Sequence, residues 1–159
     1  MSEYLSVAPY DAEWSNLFQS LGRQLRNGLQ ELADRIDHIG STSILGVAAK
    51  PIVDIQISVP NLEPMAAYKA VLESQGYVWR PDNPDLTKRY FRERPGSRRT
   101  HIHVRQSGSW GEQFALLFRD YLRTHPEDAV TYAKLKYGLA EQYQEDRKAY
   151  LNGKAPFRP

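Results

Sequence analysis

Residues 38–59 read HIGSTSILGVAAKPIVDIQISV, and the fold turns on how this stretch is read. From Val53 to Val59, apolar and polar residues alternate. Val53, Ile55, Ile57 and Val59 take one side, and Asp54, Gln56 and Ser58 take the other. A period of two marks a strand with one buried face, because successive side chains leave a pleated backbone in opposite directions. Gly40, Ser41, Thr42 and Ser43 precede it as a hydroxyl-rich turn. Such a turn is either an ordinary loop or a nest of N–H groups and hydroxyls that holds phosphate oxygens at a helix start. It is not a Walker loop, since Lys50 comes too late and no Gly-Lys-Ser/Thr follows. Pro51 biases Lys50 toward an extended conformation. That places the lysine near the entrance to the Asp54 strand, where it meets either Asp54 or a phosphate.

Upstream, Asp11 is suited to cap a helix in which Trp14, Leu17, Phe18, Leu21 and Leu25 recur at helical spacing, running to about Leu32. Residues 35–40 read as a short strand stopped by Gly40. Downstream, residues 61–76 read as a helix ending at Gly76, followed by a strand from Tyr77. Turn-forming residues 81–85 and 95–97 then bracket a strand over 86–94. A further strand spans 98–106, with Thr100, Ile102 and Val104 on one face and Arg99, His101, His103 and Arg105 on the other. Phe114, Leu117, Phe118, Tyr121 and Leu122 mark a helix that Pro126 interrupts. Ala129, Tyr132, Leu135, Leu139 and Tyr143 mark the next, and residues 152–159 read as a tail. The order is helix, two strands, helix, three strands, two long helices. It predicts one α+β domain over residues 1–159, a mixed sheet with helices on one face and a polar, cationic face on the other.

That polar face carries the chemistry. The bland reading is a solvated sheet face, common in antiparallel sheets. Four cationic or potentially cationic groups at alternate positions repel one another unless an anion neutralises them or the histidines stay neutral. A phosphate-bearing ligand is the economical explanation. The strand at 86–94 adds either Lys88, Tyr90, Arg92 and Arg94, or Arg89, Phe91 and Glu93. His101 and His103, two apart on a strand, lie roughly 6–7 Å apart along it, which is wide for one metal. They are better placed as phosphate donors or acid/base groups.

Composition bounds the alternatives. The chain has 159 residues, 41% hydrophobic and 25% charged, no cysteine and a net charge of +2. Disulfides and thiolate zinc sites are excluded, and the near-balanced charge does not favour nucleic acid as the partner. The run KRYFRERPGSRR at 88–99 is basic with two aromatics, but such runs are commonly solvated hairpins. No stretch approaches the roughly 18 apolar residues of a membrane helix. The first ten residues lack the pattern of a signal peptide, so the expected location is cytoplasmic.

These residues resemble the nucleotidyltransferase superfamily, which carries Gly-Ser, about a dozen residues, and then a strand with two acids separated by one apolar residue. Gly40 and Ser41 match the first element, and Asp54 falls in the acidic strand. Within that superfamily, VAPYDAEWSNLF, HIGSTSILGVAAKPIVDI, THIHV and LLFRDYLRTHPEDAVTYAKLK, in that order, resemble the GrpB-like family. The resemblance implies a phosphate turn at Gly40, Ser41, Thr42 and Ser43, with Mg²⁺ held by Asp54. Under an enzyme reading of the same residues, Lys50, Gln56, Arg92 and Arg105 meet the phosphates or nucleotide, and His101 or His103 acts as base or charge stabiliser.

The chain departs from the superfamily pattern at Gln56, which replaces the second acid, and at HIHV, where a third acid would sit. A two-metal clamp is therefore not expected. Two functions follow: Mg-dependent nucleotidyl or phosphoryl transfer to a small acceptor, or a catalytically reduced binding module. Members of the family are also found fused to some dephospho-CoA kinases, which implies a helper role for an enzyme of coenzyme A metabolism. Nucleic-acid binding is the weaker third reading.

Overall fold

A computed structural model describes residues 6–142, with side chains described as far as residue 138. The elements are α1 (Glu13–Leu29), β1 (Arg35–Ile39), β2 (Val53–Val59), α2 (Ala66–Ser74), β3 (Tyr77–Trp79), β4 (Lys88–Glu93), β5 (Thr100–Gln106), α3 (Trp110–Thr124) and α4 (Pro126–Gln142). The expected tail and Tyr143 lie outside the described residues.

The five strands form one sheet in the order β1-β2-β5-β4-β3. β2 and β5 run parallel, and every other neighbouring pair is antiparallel. The sheet is therefore mixed, with α2, β3 and β4 making the connection from β2 to β5. Its apolar face takes Val53, Ile55, Ile57 and Val59 of β2, Phe91 of β4, and Ile102 and Val104 of β5. Leu25 and Leu29 of α1 and Tyr68 and Leu72 of α2 close over them. Each fully buried Leu, Ile or Phe contributes about 1.5–3 kcal/mol by leaving water, so this layer fixes which side of β2 faces inward. A one-residue slip would turn Asp54 into the core.

Local chemistry explains the boundaries. Asp11 Oδ1 accepts the Glu13 N–H at 2.9 Å at the start of α1. α1 ends at Leu29 rather than Leu32: Gln30 has a positive φ of 50°, and one 3₁₀ turn finishes the run. The helix expected from residue 61 begins only at Ala66. β4 and β5 each start two residues later than the sequence pattern suggests. Arg99 thus precedes β5, where its carbonyl accepts the Val53 N–H.

A third helix packs on the opposite side of the sheet. The first turn of α3 crosses the polar face, where Gln56 and Ser58 are fully buried. Gln56 Nε2 donates to the Glu112 carbonyl at 3.4 Å. Ser109 caps α3 by accepting the Glu112 N–H. α3 and α4 then enclose a second apolar cluster, in which Leu122, Ala129 and Ala133 meet Ile44 and Val47 behind the Gly-Ser turn. On α4 the buried positions are Ala129 and Ala133, with Tyr132, Leu135 and Tyr137 half-buried. The expected stripe through Leu135 therefore turns toward Ala133 and Tyr137.

Candidate functional site

The parallel register of β2 and β5 sets Asp54 beside His101, Gln56 beside His103, and Ser58 beside Arg105. The antiparallel register of β4 adds Lys88 opposite Arg105, Tyr90 opposite His103 and Arg92 opposite His101. Of the two faces β4 could have offered, the Lys88–Tyr90–Arg92 face joins the site.

The Gly-Ser turn reaches the same place. β1 ends at Ile39, which pairs with Asp54, and the chain turns at Gly40 with φ 76°. Ser41–Ser43 form one 3₁₀ turn. Ser43 Oγ donates to the Gly40 carbonyl at 2.5 Å. Thr42 Oγ1 donates to the Ile52 carbonyl at 3.0 Å and accepts from His38 Nε2 at 3.0 Å. These two hydroxyls hold the turn in shape. The Ser41 hydroxyl accepts from Lys136 Nζ at 3.3 Å. Beside it is a cavity of about 240 Å³ lined by Ser41, Thr42, Lys50, Asp54, His101 and Lys136.

The hydrogen-bond directions fix the state of His103. The Lys88 ammonium has only protons to give, so His103 Nδ1 accepts from it at 3.0 Å. Nε2 then carries the ring proton and donates to Asp54 Oδ1 at 3.0 Å. Burial pushes His103 down to about 4, against the opposing pull of Asp54, so the ring is neutral at pH 7. Burial alone would raise Asp54, but the hydrogen bonds from His101 and His103 outweigh it and hold the carboxyl below the usual carboxylate range. His101 Nδ1 stands 3.5 Å from the same Oδ1, and its Nε2 is buried with no hydrogen-bond partner among the described residues. The Tyr90 ring packs against both imidazoles, at 5.5 and 5.3 Å between centroids.

The other expected residues fall further out. Arg105 Nη1 donates to Gln56 Oε1 at 2.7 Å. Arg92 Nη2 pairs with Glu93 Oε2 at 3.2 Å, and Arg99 Nε lies 3.3 Å from the same oxygen. Arg89 pairs with Glu63 at 2.8 Å. Much of the basic run at 88–99 is therefore engaged with acids. Lys88 and Lys136 complete the cationic surroundings. Lys88 had a signal in the β4 alternation. Lys136 lies 95 residues beyond Ser41, and only the packing of α4 brings it in.

This donor set does not suit a resident magnesium ion. Mg²⁺ demands octahedral oxygen ligands, and Asp54 is the one carboxylate among the cavity-lining residues. Its Oδ1 already faces two imidazoles, and the position of a second acid holds Gln56 bonded to Arg105. Among the described residues, no three His, Cys, Asp or Glu side chains converge to hold a metal.

A mixed five-stranded sheet with a Gly-Ser turn against an acidic strand defines a nucleotidyltransferase-like fold. Structures of the poly(U) polymerase Cid1 share it, one with a TM-score of 0.60 at 13% identity over 87% of this chain and 44% of that one. The family model described as GrpB protein matches residues 4–158, and the chain belongs to that family. A crystal structure of the conserved protein GrpB from Enterococcus faecalis has a TM-score of 0.81 at 32% identity, covering 92% of this chain and 90% of that one. UPF0157 protein YqkA of Bacillus subtilis is 36% identical over 150 residues, 94% of this chain and 44% of YqkA. A dephospho-CoA kinase of Mycolicibacterium paratuberculosis is 32% identical over 177 residues, 95% of this chain and 43% of the kinase. The chain thus spans less than half the length of these two relatives. Among the described residues, no helix is long and apolar enough to cross a membrane.

Proposed function

We propose that this chain binds a small phosphate-bearing ligand, a nucleotide or phosphorylated metabolite, and holds its phosphate in the polar cavity without a resident metal. One observation carries the reading: the cavity joins the Ser41–Thr42 turn to Lys50 and Lys136, with His101 among its lining residues. Two ammonium groups in a partly enclosed site neutralise a phosphate that Asp54 alone would repel. Asp54 keeps its charge and receives hydrogen bonds from both imidazoles, and Lys50 and Lys136 set two positive charges against it at the same cavity.

The same geometry favours binding over nucleotidyl transfer. Both nitrogens of His103 are engaged, so His103 has no lone pair for a substrate proton. His101 Nε2 is buried without a partner among the described residues, so proton exchange with a bound ligand would require the ring to move. A role beside an enzyme of coenzyme A metabolism is supported by the dephospho-CoA kinases to which the chain aligns over 43% of their length.

A thermal-shift panel of inorganic phosphate, tripolyphosphate, nucleotides and coenzyme A precursors, each with Mg²⁺ and with EDTA, tests this. A ligand at 100 times its Kd adds about 2.7 kcal/mol, and each kcal/mol moves Tm by about 2–4 °C at this size. Shifts of several degrees in EDTA are expected for at least one phosphate compound. No shift above a degree with any of them would overturn the reading.

A further inference from the structure

A second cavity, of about 520 Å³, opens on the other side of the Gly-Ser turn, between that turn, α3 and α4. Ser41 and Lys136 line both cavities, so the two share a wall. The second compartment differs in chemistry. Trp110, Phe114 and Phe118 form a ladder along α3, each ring nearly parallel to the next at 14° and 16°, with centroids 5.1 and 5.6 Å apart. Tyr132 closes the ladder edge-on at 5.3 Å from Phe118. Trp110 stands at the lip, 64% exposed. Polar groups gather elsewhere on the wall: Asp85 and Arg105 lie close enough to pull each other's protonation in opposite directions, with Thr87 beside Asp85.

Resting on the proposed phosphate reading, we propose that this compartment takes a planar aromatic ring tethered to the phosphate: the ligand is an aryl or heteroaryl phosphate compound, with the ring against the α3 ladder and its edge read by Asp85 and Arg105. The volume falls in the range of small-molecule sites, which are mostly apolar with a few placed polar groups. Flat rings gain offset-stacking energy on parallel aromatic faces that an aliphatic chain does not gain. Arg105 and Asp85 supply a donor fork and an acceptor, the pair a ring bearing heteroatoms requires. Lys136 at the shared wall marks where the tether crosses from ring to phosphate.

Isothermal titration of the purified chain in EDTA, with five probes, separates the possibilities: inorganic phosphate, glycerol 3-phosphate, phenyl phosphate, and the nucleotides AMP and UMP. The ring-bearing probes are expected to bind at least tenfold more tightly than glycerol 3-phosphate and to quench tryptophan fluorescence. Phe114→Leu, which keeps apolar volume but removes a ring, should bring ring-bearing and ring-free probes within about threefold while leaving inorganic phosphate unchanged. Ala115→Trp, which fills the compartment, should do the same by a steric route, so agreement between the two excludes a folding artefact. Tight nucleotides with weak phenyl phosphate would support the proposal and identify a nucleoside as the source of the ring. Tight binding of both would support it with any aryl phosphate as source. Ring-bearing and ring-free probes binding within twofold, with phosphate still bound, would overturn this inference and leave the phosphate reading standing. Absence of binding by every probe would overturn both.

Discussion

Gly40 and Asp54 are in direct contact: a Cβ built on residue 40 would lie 2.6 Å from Asp54 Oδ2 and 3.0 Å from Asp54 Cβ. The turn and the acid were 14 positions apart in sequence, and the β1–β2 ladder brings them face to face through the Ile39–Asp54 pair. Glycine is required here twice. The backbone has φ 76° and ψ −178°, a region essentially reserved for glycine, and the missing side chain makes room for the carboxylate.

Gly40→Ala is therefore expected to cost at least about 1–3 kcal/mol from backbone strain alone, with the clash against Asp54 adding to it. In a denaturant titration the midpoint should fall with little change in slope. Gly46, also at positive φ but with open space around its Cβ direction, is the control. Gly46→Ala should cost less. Equal costs at the two positions would show that the Asp54 contact has no energetic weight.

Asp54→Asn separates a metal ligand from an anion-site carboxylate. Asp54 receives hydrogen bonds from His103 and His101. In a cationic phosphate pocket it is the group a phosphate must approach against like charge. Removing its charge should tighten inorganic phosphate or tripolyphosphate severalfold in EDTA, with the gain shrinking as salt rises. If Asp54 held magnesium instead, the variant would lose affinity, and the loss would appear only when Mg²⁺ is present. Calorimetry in EDTA and in Mg²⁺ distinguishes the two.

The β2 strand, its Asp54 face, and the Gly40–Ser43 turn were legible in residues 38–59, because a period of two and a run of small hydroxyl residues are local signals. So was the shared polar parity of Asp54, His101 and His103. Three things were not. The parallel register that sets Asp54 beside His101 depends on packing between strands 47 residues apart. Lys136 enters only through the seating of α4 on the second apolar cluster. Gln56 looked like a lost acid, and its role emerges only with Arg105 and α3 in place: its oxygen takes a guanidinium and its nitrogen serves Glu112. The donor arrangement that disfavours a resident magnesium ion was hidden for the same reason, since no local pattern reveals that two imidazoles point at one carboxylate oxygen.

Two histidines, His38 buried and His103 partly buried, make the protein acid-sensitive. Burial pushes both His38 and His103 down to about 4, from an unfolded value near 6.5. Between those values the unfolded chain binds more protons than the folded one, so stability rises with pH across roughly 4–6.5 and is lost as pH falls through that window. Asp54, held below its usual range, adds a loss in the same direction, but only below about pH 4. The slope in the window should approach, at most, about 1.4 kcal/mol per pH unit for each histidine. Urea titrations at half-unit steps from pH 4.5 to 7.5 measure it. His103→Gln should reduce the slope, whereas a wild-type stability that stays flat from pH 7 to 5 would mean that neither ring is held neutral.

Gln56→Glu restores an acid where the superfamily pattern has one, and tests whether that alone rebuilds a metal site. Gln56 is fully buried, and its Oε1 sits 2.7 Å from Arg105 Nη1. A glutamate there keeps that bond and makes it an ion pair. Its second oxygen, however, would face the Glu112 carbonyl, which now accepts from Nε2 at 3.4 Å. Acceptor against acceptor in a buried site leaves one group unsatisfied, a cost of about 1–3 kcal/mol that the strengthened Arg105 contact offsets only in part. The variant should therefore melt lower than wild type, and the added carboxylate should be spent on Arg105 rather than on a cation. Millimolar Mg²⁺ should then leave its Tm unchanged. A Tm that rises by several degrees with Mg²⁺ in the variant but not in wild type would show that the Asp54–His103–Lys88 and Gln56–Arg105 contacts yield readily to a metal, and that position 56 alone separates this chain from a metal-binding one.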